Sequence, residues 1–179
     1  MPARVHAARP PATAMAQPSA QPSAACPLAF EGYAERVRDS FGRQGAMRLI
    51  GASVEAVSPG YCAIALVPRL ELAQQHGFVH AGIVSAIVDS AGGYAGFTLF
   101  PQDSSVLTVE FKLNLLAPAD GERLLAEGFV VKAGRTLVIT RGEVHAEARG
   151  ERRLVALMQQ TLMVMHGKSD EPPKAPAAA

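Results

Sequence analysis

The sequence predicts an α+β fold in which one long buried helix is wrapped by a curved antiparallel sheet of about six strands. The segment from His80 to about Phe100 is apolar on nearly every face, which is typical of a helix buried in a protein core. Two strand-like runs precede this segment and four follow it. Short turns that contain glycine join several of the runs, and such turns favour antiparallel neighbours.

The elements follow from local patterns along the chain. Apolar residues at spacings of three and four predict a short amphipathic helix over 30–41. Residues 58–60 read S-P-G and predict a turn, and residues 70–79 predict a loop. The predicted strands span residues 47–57, 61–67, 105–116, 123–132, 136–147 and 153–165.

Composition bounds the class of protein. The chain has 179 residues, 49% of them hydrophobic and 18% charged, which suits one domain with a sizeable core. A formal net charge of +1 does not indicate the strongly basic surface of a nucleic-acid-binding protein. Cys26 and Cys62 lack C-x-x-C spacing, which argues against metal binding and a disulfide framework and favours a reducing compartment. We expect a cytoplasmic protein without a metal or another cofactor.

Both ends differ in composition from the middle of the chain. Residues 1–27 are rich in Ala, Pro, Ser and Gln and show no apolar periodicity, so we expect a disordered tail. They lack the apolar run of a secretory signal, and a transit peptide is the alternative left open. We expect a second disordered tail over 167–179 and assign the folded domain to 28–166.

The long apolar segment has a membrane-spanning alternative, because its length would cross a bilayer. Asp89 lies in its middle, however, and a charge there is costly in lipid. Three glycines and the flanking strand-like runs fit a buried helix better. Gly92 and Gly96 then predict close packing against a sheet, and we expect no membrane partner.

Asp89 is the strongest candidate for chemistry. A carboxylate on an apolar helix is costly to bury unless it is paired or functional, and burial raises its pKa towards the range of a useful base or nucleophile. A satisfied structural carboxylate is the alternative. The helix start around Ala81 and Gly82 offers N–H groups that could polarise a carbonyl oxygen, although an ordinary helix entry would look the same.

The spacing of these features has a consequence for assembly. Ala81 and Asp89 are eight residues apart, about 12 Å along a helix. One helix therefore cannot bring both to one substrate, which predicts a site shared between two subunits of a symmetric dimer. His76 and His80 are four apart but have neither an intervening glutamate nor a third ligand, so we expect no zinc site. His145 is expected to be structural.

Several motifs together resemble those of a known family. Gln74 lies six residues before His80, and Asp89 lies nine after it. T-V-E-F-K-L-N follows at 108–114, A-P-A at 117–119 and K-A-G-R-T at 132–136. In these motifs the chain resembles the hotdog-fold acyl-CoA thioesterases of the phenylacetate-degradation type, over roughly residues 47–165. Ala81 departs from the pattern, which has glycine there.

The resemblance implies the hotdog fold, hydrolysis of acyl-CoA and a set of roles. Asp89 would be the nucleophile or general base, Thr108 would orient water or Asp89, and Gln74 would position the thioester or water. The N–H of Ala81 would bind the thioester oxygen. Further substrate contacts are expected at His80, Gly82, Ser85 and Arg135. The implied partners are acyl-CoA and a second copy of the chain, in a homodimer with shared sites, with a tetramer left open.

Two other functions are compatible with the same fold. A non-hydrolytic module could bind acyl-CoA, for example as a regulator, but binding alone does not require the trio of Asp89, Gln74 and Thr108. A hydratase would need a paired Asp and His on a hydratase-type segment, which the sequence does not contain. Hydrolysis needs only a carboxylate and a polarising helix start, because a thioester carbonyl is already electrophilic.

Overall fold

The computed structural model describes residues 30–171. The N-terminal tail predicted at 1–27 lies outside the described residues, as do residues 172–179 of the predicted C-terminal tail. The elements of the described part are α1 Tyr33–Arg43, α2 Gly45–Ile50, β1 Ser53–Ser58, β2 Tyr61–Leu66, α3 Ala81–Phe97, β3 Ser104–Leu115, β4 Arg123–Ala133, β5 Leu137–Ala148 and β6 Glu151–His166. A single 3-10 turn, Leu70–Leu72, interrupts the predicted loop before α3.

One element was predicted wrongly. The run 47–57 was expected to be a single strand, but its first part belongs to α2 and only Ser53–Ser58 forms a strand. Met47 and Ile50 are buried three residues apart, on one face of a helical turn. Gly51 then ends the helix with a left-handed φ of 75°, and the following N–H of Ala52 donates to the Met47 carbonyl. This glycine-dependent ending is a Schellman motif.

The six strands form one antiparallel sheet in the order β1-β2-β4-β5-β6-β3. Tight turns join β1 to β2 and β5 to β6, as the sequence predicts. The second turn consists of Arg149 and Gly150, which both have positive φ, of 52° and 75°. This is the geometry of a type I′ hairpin, whose twist matches that of the strands. The predicted fold, a long helix wrapped by a curved antiparallel sheet of six strands, is confirmed.

α3 packs closely against the inner face of the sheet. A methyl group at Gly128 of β4 would overlap the Ala91 carbonyl, and one at Gly142 of β5 would overlap the Val88 side chain. Glycine at these two points lets the helix backbone approach the strands directly. The core between the layers is mainly aliphatic, with the aromatic rings of Tyr94 and Phe97 towards the end of α3. Its aliphatic members include Val84, Ile87, Val88, Ile64, Leu66, Leu124, Val138, Val144 and Leu162.

β3 is an edge strand of the described sheet. It pairs along one side with β6 and contacts no strand on its other side within residues 30–171. Its register with β6 shifts between Thr108 and Glu110, which marks a β-bulge. Large apolar side chains on this strand are about half exposed, among them Leu107, Val109, Phe111 and Leu115. An unpaired apolar edge is a surface on which another chain can pair.

The membrane-spanning alternative for the apolar segment requires a helix that is long and apolar enough to cross a bilayer. In the part of the chain that is described, no helix combines the length and hydropathy needed to cross a membrane.

Candidate active site

Asp89 lies in the middle of α3, where the helix faces the β3–β6 side of the sheet. The Thr108 hydroxyl of β3 donates to Asp89 Oδ1 over 2.9 Å. The Gln160 amide of β6 donates to the same oxygen over 2.5 Å. No side chain or backbone group within residues 30–171 donates to Oδ2. One carboxylate oxygen is therefore held by the protein, and the other remains available to a ligand or water.

Gln160 is a residue that the sequence analysis missed. It is 1% exposed, and its Nε2 also donates to the Asp89 carbonyl oxygen over 3.1 Å. The buried hydroxyl of Thr140 donates to Gln160 Oε1 over 2.7 Å, so both ends of the amide are engaged. Gly92 provides the necessary space, because a side chain there would overlap Gln160 Oε1. A signal existed in the sequence, since Gln160 alternates with Met158 and Leu162 on the inward face of β6.

The electrostatics of Asp89 follow from its surroundings. Desolvation by burial raises the pKa of its carboxyl above the ordinary value. The hydrogen bonds from Thr108 and Gln160 oppose that rise, because they stabilise the ionised form. A carboxylate placed this way is a stronger base than an exposed aspartate while still able to ionise.

The start of α3 forms a second group of the predicted residues. His80 is the N-cap, and its Nδ1 accepts the N–H of Gly82 over 2.9 Å. The N–H of Ala81 has no acceptor within residues 30–171, and Ala81 is an exposed residue. Gln74 lies in the preceding loop, where its Oε1 accepts the N–H of His76. Of the donors at this helix end, Ala81 is thus left to bind an external acceptor.

The two groups do not meet within one chain. The eight residues from Ala81 to Asp89 lie in one uninterrupted helix, so the two ends are about 12 Å apart. Ser85 lies between them and is partly buried. The structure thus brings Asp89 and Thr108 together and leaves Gln74, His80, Ala81 and Gly82 at a distance.

Two separate cavities flank α3. One of about 240 Å³ lies beside Asp89 and Thr108 and extends to α1. A larger one of about 410 Å³ lies at the C-terminal end of α3, where Arg135 and His166 contribute to its lining. Arg135 is exposed in the β4–β5 turn, and its carbonyl oxygen lies 2.8 Å from His166 Nε2. The chain therefore does not place Arg135 in the cavity that contains Asp89.

A metal site needs several ligating side chains grouped in one place. Within 30–171, no three His, Cys, Asp or Glu side chains are grouped in a way that could hold a metal ion. His145 instead belongs to a polar cluster on the outer face of the sheet, where its Nδ1 lies 3.0 Å from the Arg152 guanidinium. Burial and Arg152 lower the pKa of His145.

Comparison with known proteins gives consistent matches. A sequence profile of the thioesterase superfamily matches residues 76–152. The structure of a thioesterase family protein from Silicibacter pomeroyi is similar, with 48% identity and a TM-score of 0.75, over 76% of this chain and 100% of that chain. A Halobacterium salinarum protein that carries the name of an esterase is 33% identical over 99 residues, 52% of this chain and 64% of that protein.

A more distant match concerns the fold alone. The E. coli PaaI protein, from the phenylacetic acid degradation operon, is 15% identical with a TM-score of 0.70, over 79% of this chain and 98% of that chain. The matches to curated relatives are shorter than those to solved structures. The chain spans less than two thirds of the length of the Halobacterium protein.

Proposed function

Because this chain belongs to the thioesterase superfamily, we propose that it is a hydrolase that cleaves acyl-CoA thioesters into free acid and CoA. The observation that carries the proposal is the Asp89 carboxylate, with one oxygen held by Thr108 and Gln160 and the other available. Asp89 is the nucleophile or the general base. An ion pair of purely structural purpose would engage a cation, whereas both donors to Asp89 are neutral.

The reaction can be written for either role of Asp89. As a base, it takes a proton from water, whose oxygen bonds to the thioester carbon; the C–S bond then breaks and the CoA thiolate takes up the proton. As a nucleophile, its oxygen bonds to that carbon, CoA leaves as the thiolate, and water hydrolyses the resulting anhydride. In both cases negative charge develops on the carbonyl oxygen, which the N–H of Ala81 is proposed to bind.

We further propose that each site is built from two subunits. Reacting atoms must approach to about 3–3.5 Å, which the separation of about 12 Å between Ala81 and Asp89 forbids within one helix. The apolar edge of β3, which pairs with no strand on that side within residues 30–171, carries Thr108 and offers a surface for a second copy. Gln74 and Ala81 would come from one subunit and Asp89 and Thr108 from the other. His80, Gly82 and Ser85 would contact the substrate near the helix start, and Arg135 would meet the CoA phosphates.

The function is tested by a hydrolysis screen of the purified protein over short, medium, long and aromatic acyl-CoAs, with release of free thiol as the readout. Asp89→Asn should lower turnover at least a hundredfold, given general-base contributions of roughly 10²–10⁴, while the melting temperature stays close to that of the wild type. Asp103→Asn, at an exposed aspartate ahead of β3, is the matched control and should retain full activity. Binding of acyl-CoA without turnover would instead favour the non-hydrolytic module.

The shared site is tested by mixing two variants that are each inactive alone, Asp89→Asn and Gln74→Ala. In a mixed dimer, one site carries both lesions and the other carries neither. Activity should therefore return after subunit exchange, up to one intact site per heterodimer. If verified heterodimers have no activity, the group around Asp89 and the group around Gln74 act on separate substrates or not at all.

A further inference from the structure

The cavity beside Asp89 is lined mainly by polar groups. Its volume is about 240 Å³, below the range of roughly 300–1,000 Å³ typical of sites for whole drug-sized ligands. It is thus large enough for part of a substrate such as an acyl group, but not for CoA as a whole. Val106 is the one aliphatic side chain among the described residues that line it. A pocket for a long hydrocarbon chain would have mostly apolar walls.

Gly93 creates the open space at the floor of this cavity. It lies one helical turn after Asp89, on the same side of α3. Gly93 is buried, yet a methyl group built there would meet no atom within 4 Å. At Gly128 and Gly142, by contrast, neighbouring atoms already occupy the space that a side chain would need. The absence of a side chain at Gly93 therefore serves the cavity and not close packing of the helix.

A cluster of hydroxyl and amide groups, Ser40, Gln44 and Tyr94, lines the same cavity as Asp89. The Gln44 amide donates to the Tyr94 hydroxyl over 2.9 Å, and Ser40 Oγ lies 3.1 Å from the same hydroxyl. Tyr94 is 3% exposed. Five residues separate Asp89 from Tyr94, or about 7.5 Å along the helix axis. This is the rise between the two backbone positions, and an extended six-carbon acyl group has a similar length.

α1 is held firmly enough to act as a wall. The Arg36 guanidinium donates to the Phe97 carbonyl over 2.6 Å and to the Pro101 carbonyl over 2.8 Å, at the end of α3. It also stacks on the Phe97 ring, 3.9 Å from the centroid. These contacts add to the hydrogen bonds that the two carbonyls accept from the Phe100 N–H and the Ser104 hydroxyl, and they fix α1 against α3. Ser40 and Gln44 are thereby kept in place without a ligand.

The charge of the walls restricts the acyl group further. Asp170 lines the cavity together with Asp89, and Arg43 forms an ion pair with Asp170 at 2.5 Å. The charge of Asp170 is balanced by Arg43, whereas Asp89 has only neutral donors, and its negative charge disfavours an acyl group that carries its own carboxylate. A neutral hydroxyl, in contrast, can bond to the polar cluster.

We propose that this cavity is the acyl pocket and that it selects short acyl groups bearing a neutral hydroxyl, bound by the cluster of Ser40, Gln44 and Tyr94. The proposal rests on the hydrolase function proposed above. The three residues already bond to one another, and their remaining hydrogen-bonding capacity is met by water or by a substrate hydroxyl. A bare hydrocarbon chain would displace that water without replacing its hydrogen bonds. Specificity arises from that difference, since sites built to bond a substrate hydroxyl discriminate against the analogue lacking it.

The test compares kcat/KM for hexanoyl-CoA, 6-hydroxyhexanoyl-CoA, adipoyl-CoA and acetyl-CoA. The wild type should prefer the hydroxylated substrate over hexanoyl-CoA by about tenfold, the value of one hydrogen bond, and should be slowest on adipoyl-CoA among the six-carbon substrates. Tyr94→Phe should lower that preference by about tenfold without abolishing turnover of hexanoyl-CoA. Gly93→Leu should lose the six-carbon substrates and keep acetyl-CoA, whereas Gly42→Leu, at an exposed helical glycine with open space, should match the wild type.

Each outcome bears on a different statement. An equal preference in the wild type and Tyr94→Phe, or undiminished hydrolysis of hexanoyl-CoA by folded Gly93→Leu, would overturn the acyl-pocket proposal while leaving the hydrolase function intact. A folded wild type that turns over none of the thioesters, in this panel or in the wider screen, would refute both. Selective loss of the larger substrates in Gly93→Leu, with acetyl-CoA retained, would locate the acyl group over Gly93.

Discussion

Replacing Gln160 with leucine should shift the acid limb of the pH–rate profile to higher pH. Gln160 is buried, and its amide donates to Asp89 Oδ1 over 2.5 Å. Leucine fills a similar volume but has no donor, so the ionised form of Asp89 loses a stabilising contact that the neutral form needs less. The pKa of Asp89, already raised by burial, must then rise further. Because the ionised carboxylate is the proposed reactive form, activity at low pH falls.

The size of the effect follows from the strength of the contact. A hydrogen bond to a charged group contributes about 1.5–3 kcal/mol. Each 1.4 kcal/mol is about a tenfold change in an equilibrium constant, so activity on the acid limb should fall roughly 10- to 100-fold. At pH values well above the acid limb, the loss of activity should be smaller. The Thr140 hydroxyl would also lose its buried acceptor, which should lower the free energy of unfolding by about 1–3 kcal/mol.

The assay is a profile of kcat/KM against pH, measured by thiol release for wild type, Gln160→Leu and Thr140→Val. Thr140→Val is the matched control, because it breaks the other hydrogen bond of the Gln160 amide and leaves the donor to Asp89 in place. It should lose a similar amount of stability but keep the acid limb of the wild type. If the acid limb of the Gln160→Leu profile coincides with that of the wild type, or lies at lower pH, a positioning role for Gln160 is refuted.

Two further substitutions test the packing. Gly128→Ala should lower the free energy of unfolding by about 3 kcal/mol, the upper end for overpacking, and the melting temperature by roughly 6–12 °C, because the new methyl group overlaps the backbone at Ala91. Gly93→Ala, with open space around it, should leave stability unchanged or raise it by up to about 1 kcal/mol. An equal loss of stability in Gly128→Ala and Gly93→Ala would contradict the close approach of helix and sheet. Arg149→Asn should raise stability by about 1 kcal/mol, the lower end of the cost of a left-handed conformation for most residues, measured by urea denaturation, because an Asn-Gly pair suits the type I′ turn. A less stable Arg149→Asn variant would argue against strain at that φ.

Local patterns predicted most of the fold. The apolar stretch around Asp89 indicated a buried helix, and alternation with turn residues indicated strands, because both patterns repeat within a few residues. The wrong prediction at 47–57 has the same origin. A short apolar run fits a strand or a helical turn equally well, and Gly51 decided between them by ending α2. The glycine was visible in the sequence as a signal for the end of a helix, but the strand-like residues that follow it outweighed that signal.

The site was predictable in its chemistry and not in its surroundings. Asp89 stood out as a charge within an apolar helix, and the spacing from Ala81 indicated a second subunit, which remains a prediction. Gln160 is 71 residues from Asp89 in the chain, and the register of β3 with β6 brings it there. No periodicity encodes such a pairing, because it depends on which strands are neighbours.

The sequence by itself thus determined where most of the elements lie, which helix is buried and that one carboxylate stands in that apolar helix. These properties depend on residues close together in the chain. The tertiary structure alone decided what surrounds that carboxylate: Thr108 and Gln160 on one side, and on the other the cavity over Gly93 with its polar cluster of Ser40, Gln44 and Tyr94. The reason is physical, since hydrogen bonds and cavities form between elements distant in sequence, and their geometry exists only once strand register and helix packing are fixed.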